Sequence, residues 1–351
     1  MADSTITAKG QTLPEAKSDV LVSSLRFDLL MGVLGMVFVG GLYLDGWAHA
    51  HGLVDKTFFT PWHAVLYSAY ALNAAVLVAT LLRNHARGYA WRRAMPTGYE
   101  LSLLGVPLFA LGGAGDMFWH ILFGFEVGIQ PLLSPTHLVL AMSGLFILSG
   151  PLRAALRRSS SASKPGWFKL LPMLLSLTAV WSVLAFFSEY AHPFVNTFLV
   201  IYGLGNGQQS WGAAGILLQA GLMMGLILLA VRRWQLPWGA LTLMFTINAV
   251  LLSFLADQYG LIPVALAAGV VADVLLWWLK PSTTRFNELR LFAFLVPLIL
   301  YLFYFLDLQL TAGIAWSIHL WLGSCILAGV VGFLLSYLMV GPRSSSEQNE
   351  R

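Results

Sequence analysis

Apolar runs about twenty residues long alternate with short polar connections along the whole chain. They fall at 29–47, 61–82, 100–122, 131–152, 168–188, 211–231, 238–256, 261–279, 289–306 and 313–340. A helix crosses the hydrocarbon core of a bilayer in ~20 residues, whereas the strand of a membrane barrel alternates apolar and polar positions over ~10. These windows do not alternate, and backbone groups that meet no water must pair within their own segment. The pattern predicts an all-α fold, a polytopic transmembrane helical bundle of about ten spans.

Composition sharpens this reading. Of 351 residues, 58% are hydrophobic and 10% charged, against roughly 25% charged in an ordinary soluble domain, so a water-soluble globule is excluded. The 20 Lys and Arg are sorted by the windows. Nineteen of them fall before the first window or after every second one, as in Arg83, Arg87, Arg92 and Arg93, or Arg153, Arg157, Arg158, Lys164 and Lys169; Lys56 alone falls opposite. The positive-inside rule then places both termini in the cytoplasm. The net charge of +4 is thereby explained by topology, and no nucleic-acid partner is expected. The expected location is the cell membrane, with lipid as surroundings and either a second copy or companion membrane subunits as partners. Residues 1–28 read as a cytoplasmic tail, 29–152 as a four-span block, 153–169 as a basic cytoplasmic linker, 170–340 as a six-span block and 341–351 as a polar tail.

The outward connections hold the chemistry. The first reads Asp45-Gly46-Trp47-Ala48-His49-Ala50-His51 and then Thr60-Pro61-Trp62-His63. The second reads Asp116-Met117-Phe118-Trp119-His120 and then Ser134-Pro135-Thr136-His137. Each has an acid, a His four residues later, a loop, Ser or Thr, Pro, one residue and another His, which reads as an internal repeat. Residues i and i+4 share a helical face. Thr60 and Ser134 suit N-caps, with Pro61 and Pro135 at the first helical position. The late His of one helix and the early His of its antiparallel neighbour then lie at one depth. Two His and one carboxylate make a transition-metal ligand set, so Asp45, His49, His63, Asp116, His120 and His137 are the expected ligands. Ionisable groups near a bilayer are costly and usually paired or functional.

Other polar residues are further candidates. His51 has no counterpart in the second copy. Glu189 and His192, three apart after the fifth window, could share a helical face, and Asp307 and His319 flank the last connection. Asp273 lies deep in the eighth window, where a charge is hardest to tolerate, and reads equally as protonated, paired or part of an ion path. Cys325 is the single cysteine, which excludes a disulfide framework and metal sites built from several thiolates.

The stretch Asp45-x3-His49 followed by Asp55-Lys56-Thr57-Phe58-Phe59-Thr60-Pro61-Trp62-His63 resembles the metal-binding region of the C subunit of copper membrane monooxygenases, the particulate methane and ammonia monooxygenases. The resemblance implies copper ligation by Asp45, His49 and His63. The second copy keeps the skeleton, with Ser-Pro in place of Thr-Pro. Copper is the metal so implied, with iron or zinc fitting the same ligands. The expected function is an O2-dependent oxidase or monooxygenase-like subunit acting on a small apolar molecule. A copper or zinc transport protein is the alternative, as is an electron-transfer subunit with His63 and His137 on a b-type haem.

Overall fold

The computed structural model describes residues 20–53, 59–124, 126, 128–158 and 166–339. Lys9, Lys17, Asp55, Lys56, Thr57, Phe58, Lys164, Arg343 and Arg351, the serine-rich stretch 159–163, most of the N-terminal tail and the whole C-terminal tail lie outside these residues. The described helices are α1 (Leu25–Ala50), α2 (Pro61–Ala86), α3 (Glu100–Phe123), α4 (Gln130–Leu133), α5 (Pro135–Leu148), α6 (Gly150–Arg157), α7 (Trp167–Phe187), α8 (Phe198–Ile201), α9 (Asn206–Arg233), α10 (Ala240–Ala256), α11 (Leu261–Leu279), α12 (Phe286–Thr311) and α13 (Ile318–Met339). No strand occurs among the described residues.

Eight helices (α1, α2, α3, α7, α9, α11, α12 and α13) are long and apolar enough to cross a membrane. The fourth window forms α5 and α6, which pass that test only as a pair bent by 43°. The seventh forms α10, a shorter helix of 17 residues. Leu30, Val33, Val37, Leu72, Leu104 and Leu111 point outward and are exposed, as a bundle solvated by lipid requires. The fold is a multi-pass membrane bundle.

Packing follows from the sequence. Ser24 caps α1 by accepting from the Phe27 amide, and Thr60 caps α2 by accepting from the His63 amide. Helices α3 and α5 meet at Gly105, where a Cβ would come within 2.7 Å of the Ser143 carbonyl oxygen; small residues at such crossings let membrane helices approach closely. Helix α1 packs against α2, α7 and α10, so the first four windows share a core with the rest.

The two ends of the first block differ in chemistry. At one end, the buried Asp28 carboxylate accepts from the Tyr99 hydroxyl at 2.7 Å and pairs with Arg158. Arg158 also donates to the Ser23 carbonyl at 3.0 Å, and Arg153 donates to the Gly98 carbonyl at 2.8 Å. These contacts tie the start of α1 and the α2–α3 connection to α6. The other end, where α1 and α3 finish and α2 and α5 begin, carries His49, His51, His63, His120 and His137.

Asp273 has a structural task. Its Oδ1 accepts from the Leu241 amide at 3.2 Å, and its Oδ2 accepts from the Thr242 amide at 2.9 Å and the Thr242 hydroxyl at 2.6 Å. Gly239 precedes α10 and offers no side chain as a cap. A carboxylate from α11 therefore satisfies the orphan amides and the positive end of the α10 dipole. Of the readings open for Asp273 in the sequence, pairing is the one the contacts fit.

Candidate metal centre

Asp45, His49 and His63 form one group of possible ligands, and Asp116, His120 and His137 another, each within 4.8 Å on every side. In the first, His49 Nε2 and His63 Nε2 face each other at 3.4 Å. Asp45 Oδ2 lies 3.4 Å from His63 Nε2 and 3.9 Å from His49 Nε2. Metal–ligand bonds of about 2.1 Å at tetrahedral angles put ligand atoms about 3.4 Å apart, so the triangle has the size such an ion needs. Two imidazole nitrogens this close cannot both carry protons, and at least one presents a lone pair. Asp45 Oδ1 is buried and has no hydrogen-bond partner among the described residues; leaving a buried charge uncompensated costs on the order of several kcal/mol, and a cation would remove that cost.

The second group has the same outline and different wiring. Asp116 Oδ2 lies 3.4 Å from His120 Nε2, and Asp116 Oδ1 lies 3.4 Å from His137 Nδ1. His120 Nδ1 donates to the Gly124 carbonyl at 3.3 Å, which leaves Nε2 as the lone-pair nitrogen in the neutral ring, the tautomer a metal ligand requires. Thr136 Oγ1 donates to Asp116 Oδ1 at 2.8 Å. Ser134 precedes α5 at the N-cap, yet its hydroxyl makes no cap bond and sits 2.7 Å from His137 Nδ1.

Both groups open on one cavity of about 480 Å3 between α1, α2, α3, α5 and α7. Its wall is otherwise largely apolar, with Phe38, Phe109, Phe186 and Phe187 among the lining residues. Tyr67, one turn beyond His63, reaches toward α3, where its hydroxyl would lie 2.6 Å from a Cβ placed on Gly113, close to the level of Asp116. Glu189 also lines this cavity. It lies beyond the end of α7, and burial pushes its carboxyl up to about 8.

The remaining candidates go elsewhere. His51 Nδ1 meets the Trp47 carbonyl at 2.7 Å and its Nε2 meets Asp257 Oδ2 at 2.9 Å. Both nitrogens face acceptors, so the ring acts as a double donor and offers no lone pair to an ion. Glu189 and His192 do not share a helical face: α7 ends at Phe187, Glu189–Ala191 is a single 3-10 turn, and His192 is extended. His192 Nδ1 accepts from the Phe194 amide at 3.1 Å, and the ring lines a separate small pocket with Gln219 and Asn248. His192 is buried, which pushes its pKa down to about 3. Asp307 and His319 join neither group, and His319 is exposed at the start of α13.

One polar neighbour escaped the sequence reading. Glu126 lines the cavity, its Oε1 accepts from the Trp119 indole N–H at 2.7 Å, and its Oε2 lies 3.8 Å from His137 Nδ1. A signal for it existed: Glu126 follows Asp116 by the same ten residues that separate Asp55 from Asp45. No protein-family model, no curated protein and no solved structure matches the chain.

Proposed function

We propose that this membrane protein holds a transition-metal ion, copper by preference, in each Asp/His/His group, and that the pair serves O2-dependent oxidation of a small apolar molecule in the cavity between them. The observation that carries this reading is the convergence of two ligand triangles of metal-centred size on one largely apolar cavity. Imidazole nitrogen with a single carboxylate suits copper, zinc or iron and leaves coordination positions open. In the topology that goes with it, the chain crosses ten times, α10 and the bent α5–α6 pair included, with both termini cytoplasmic and the histidine end outside.

A bound copper ion would supply the one-electron exchange with dioxygen that side chains lack. The chain's own part is to orient and to enclose. Asp45 and Asp116 sit one helical turn before His49 and His120, so each carboxylate and imidazole are aimed together. The phenylalanines of the wall exclude water and favour an apolar guest. Glu189, whose carboxyl is pushed up by burial, would hold a proton more readily than an ordinary carboxylate on the cavity wall. The transport reading has less support, because Asp273 is engaged in capping α10. The haem reading has less support as well, because His63 and His137 each face the carboxylate of their own group.

Metal analysis of the purified full chain tests the proposal. Two equivalents are expected in the parent, about one in each of His63→Ala and His137→Ala, and almost none in the double variant. A parent free of stoichiometric metal after copper loading overturns the reading, and a Soret band would replace it with the haem alternative.

A further inference from the structure

We propose that Glu126 is a fourth protein donor of the Asp116/His120/His137 centre, so that the two centres differ in charge and take metal in a fixed order; this rests on the metal-binding reading above. Glu126 comes from the connection after α3, outside both helices that carry the triad. Its Oε2 is buried, has no hydrogen-bond partner among the described residues and lies 3.8 Å from His137 Nδ1. The other oxygen is held by the Trp119 indole N–H at 2.7 Å, and Trp119 is the residue beside His120. The carboxylate is thus fixed by one oxygen with the other turned to the centre.

The consequence is electrostatic. With neutral imidazoles, the Asp45 centre contributes one negative charge from the residues described, whereas Asp116 and Glu126 together contribute two. A divalent ion in the second centre is neutralised; in the first it keeps a positive charge. The second centre therefore fills first with a divalent ion and is the more saturated, while the first keeps an open position toward the cavity for an exogenous ligand. Hard, oxygen-preferring ions should discriminate most between the two, because carboxylates suit them better than imidazoles do.

The test is a Zn2+ titration of the metal-free full chain, followed by Co2+ loading and visible absorption. Wild type should show two sites of unequal affinity. His63→Ala should remove the weaker one and leave the tighter one as it was. Glu126→Gln should weaken the tighter site by roughly 10- to 100-fold, and should shift the Co2+ bands of that site because a donor atom is lost. The Asp45 site in the same sample reports that the variant is folded. Unchanged affinity in Glu126→Gln overturns the inference. So does weaker affinity with unchanged Co2+ bands, which would make Glu126 a positioning residue. In both cases, two bound Zn2+ in the parent leave the broader proposal standing, whereas a parent that binds none fails both.

Discussion

The two Asp/His/His groups share the Asp-x3-His step and a second His two residues after a Pro, and each gathers its possible ligand atoms within 4.8 Å, yet they differ in wiring and in what surrounds them. Around Asp45 the described neighbours leave one carboxylate oxygen unpartnered and two imidazole nitrogens facing each other. Around Asp116 the ligand atoms are already engaged: Thr136 bonds the carboxylate, Ser134 bonds His137, and Glu126 adds a second acid. Spacing along a helix decides which residues converge. The neighbours decide which lone pairs remain for an ion.

The largest effect that would break this comparison comes from the acids. Asp45→Ala should abolish binding at the first centre, because it removes the only carboxylate the described residues supply there. Asp116→Ala should weaken the second centre and leave residual binding, because Glu126 remains to pair with the ion. Metal stoichiometry at a fixed free-metal concentration checks both variants. Equal loss in the two would mean that the centres are equivalent.

A smaller effect separates the two caps. Thr60→Ala should lower thermal stability by about 1 kcal/mol, since a true N-cap bond to the His63 amide is lost. Ser134→Ala should leave stability nearly unchanged, because its hydroxyl caps nothing. It should instead tighten the second centre by roughly two- to tenfold, as a hydrogen bond competing for His137 Nδ1 disappears. Thermal unfolding in detergent and metal titration read the two outcomes separately.

The six candidate ligands were legible as two groups because their placement is local. The i,i+4 step and the Thr-Pro and Ser-Pro starts fix them within a turn of a helix end, whatever the rest of the bundle does. The partners of these residues were not legible. Glu126 comes from a connection whose path no periodicity describes. The use of Asp273 depends on α10 beginning beside α11 with glycine at its cap position, and the buried Tyr99–Asp28–Arg158 network joins residues 71 and 130 positions apart. The apolar windows foretold helices, but nothing in hydropathy could show that the fourth would bend after Leu148 or that the seventh would form only 17 residues of helix.

The smallest expected effect concerns a feature that only the first hairpin has. His51 closes α1 and bridges to Asp257 at the end of α10, linking the first centre's hairpin to a later helix; the second hairpin has no such bridge among the described residues. Its hydrogen bond to the Trp47 carbonyl, and then its contact with Asp257, raise the His51 pKa above the usual histidine value of 6.5. A raised value in the folded state means that folding favours the protonated ring. The bridge therefore stabilises fully below about pH 6.5, where the unfolded chain is also protonated, and its contribution fades as pH rises through the folded-state value. Thermal unfolding between pH 5.5 and pH 8.5 should show a modest fall in wild type relative to Asp257→Asn, in which the counter-charge is gone. The difference should shrink at high salt, because the pair is exposed. If wild type and Asp257→Asn run parallel over that range, the bridge contributes nothing, and the first hairpin is held by α1 and α2 packing as the second is by α3 and α5.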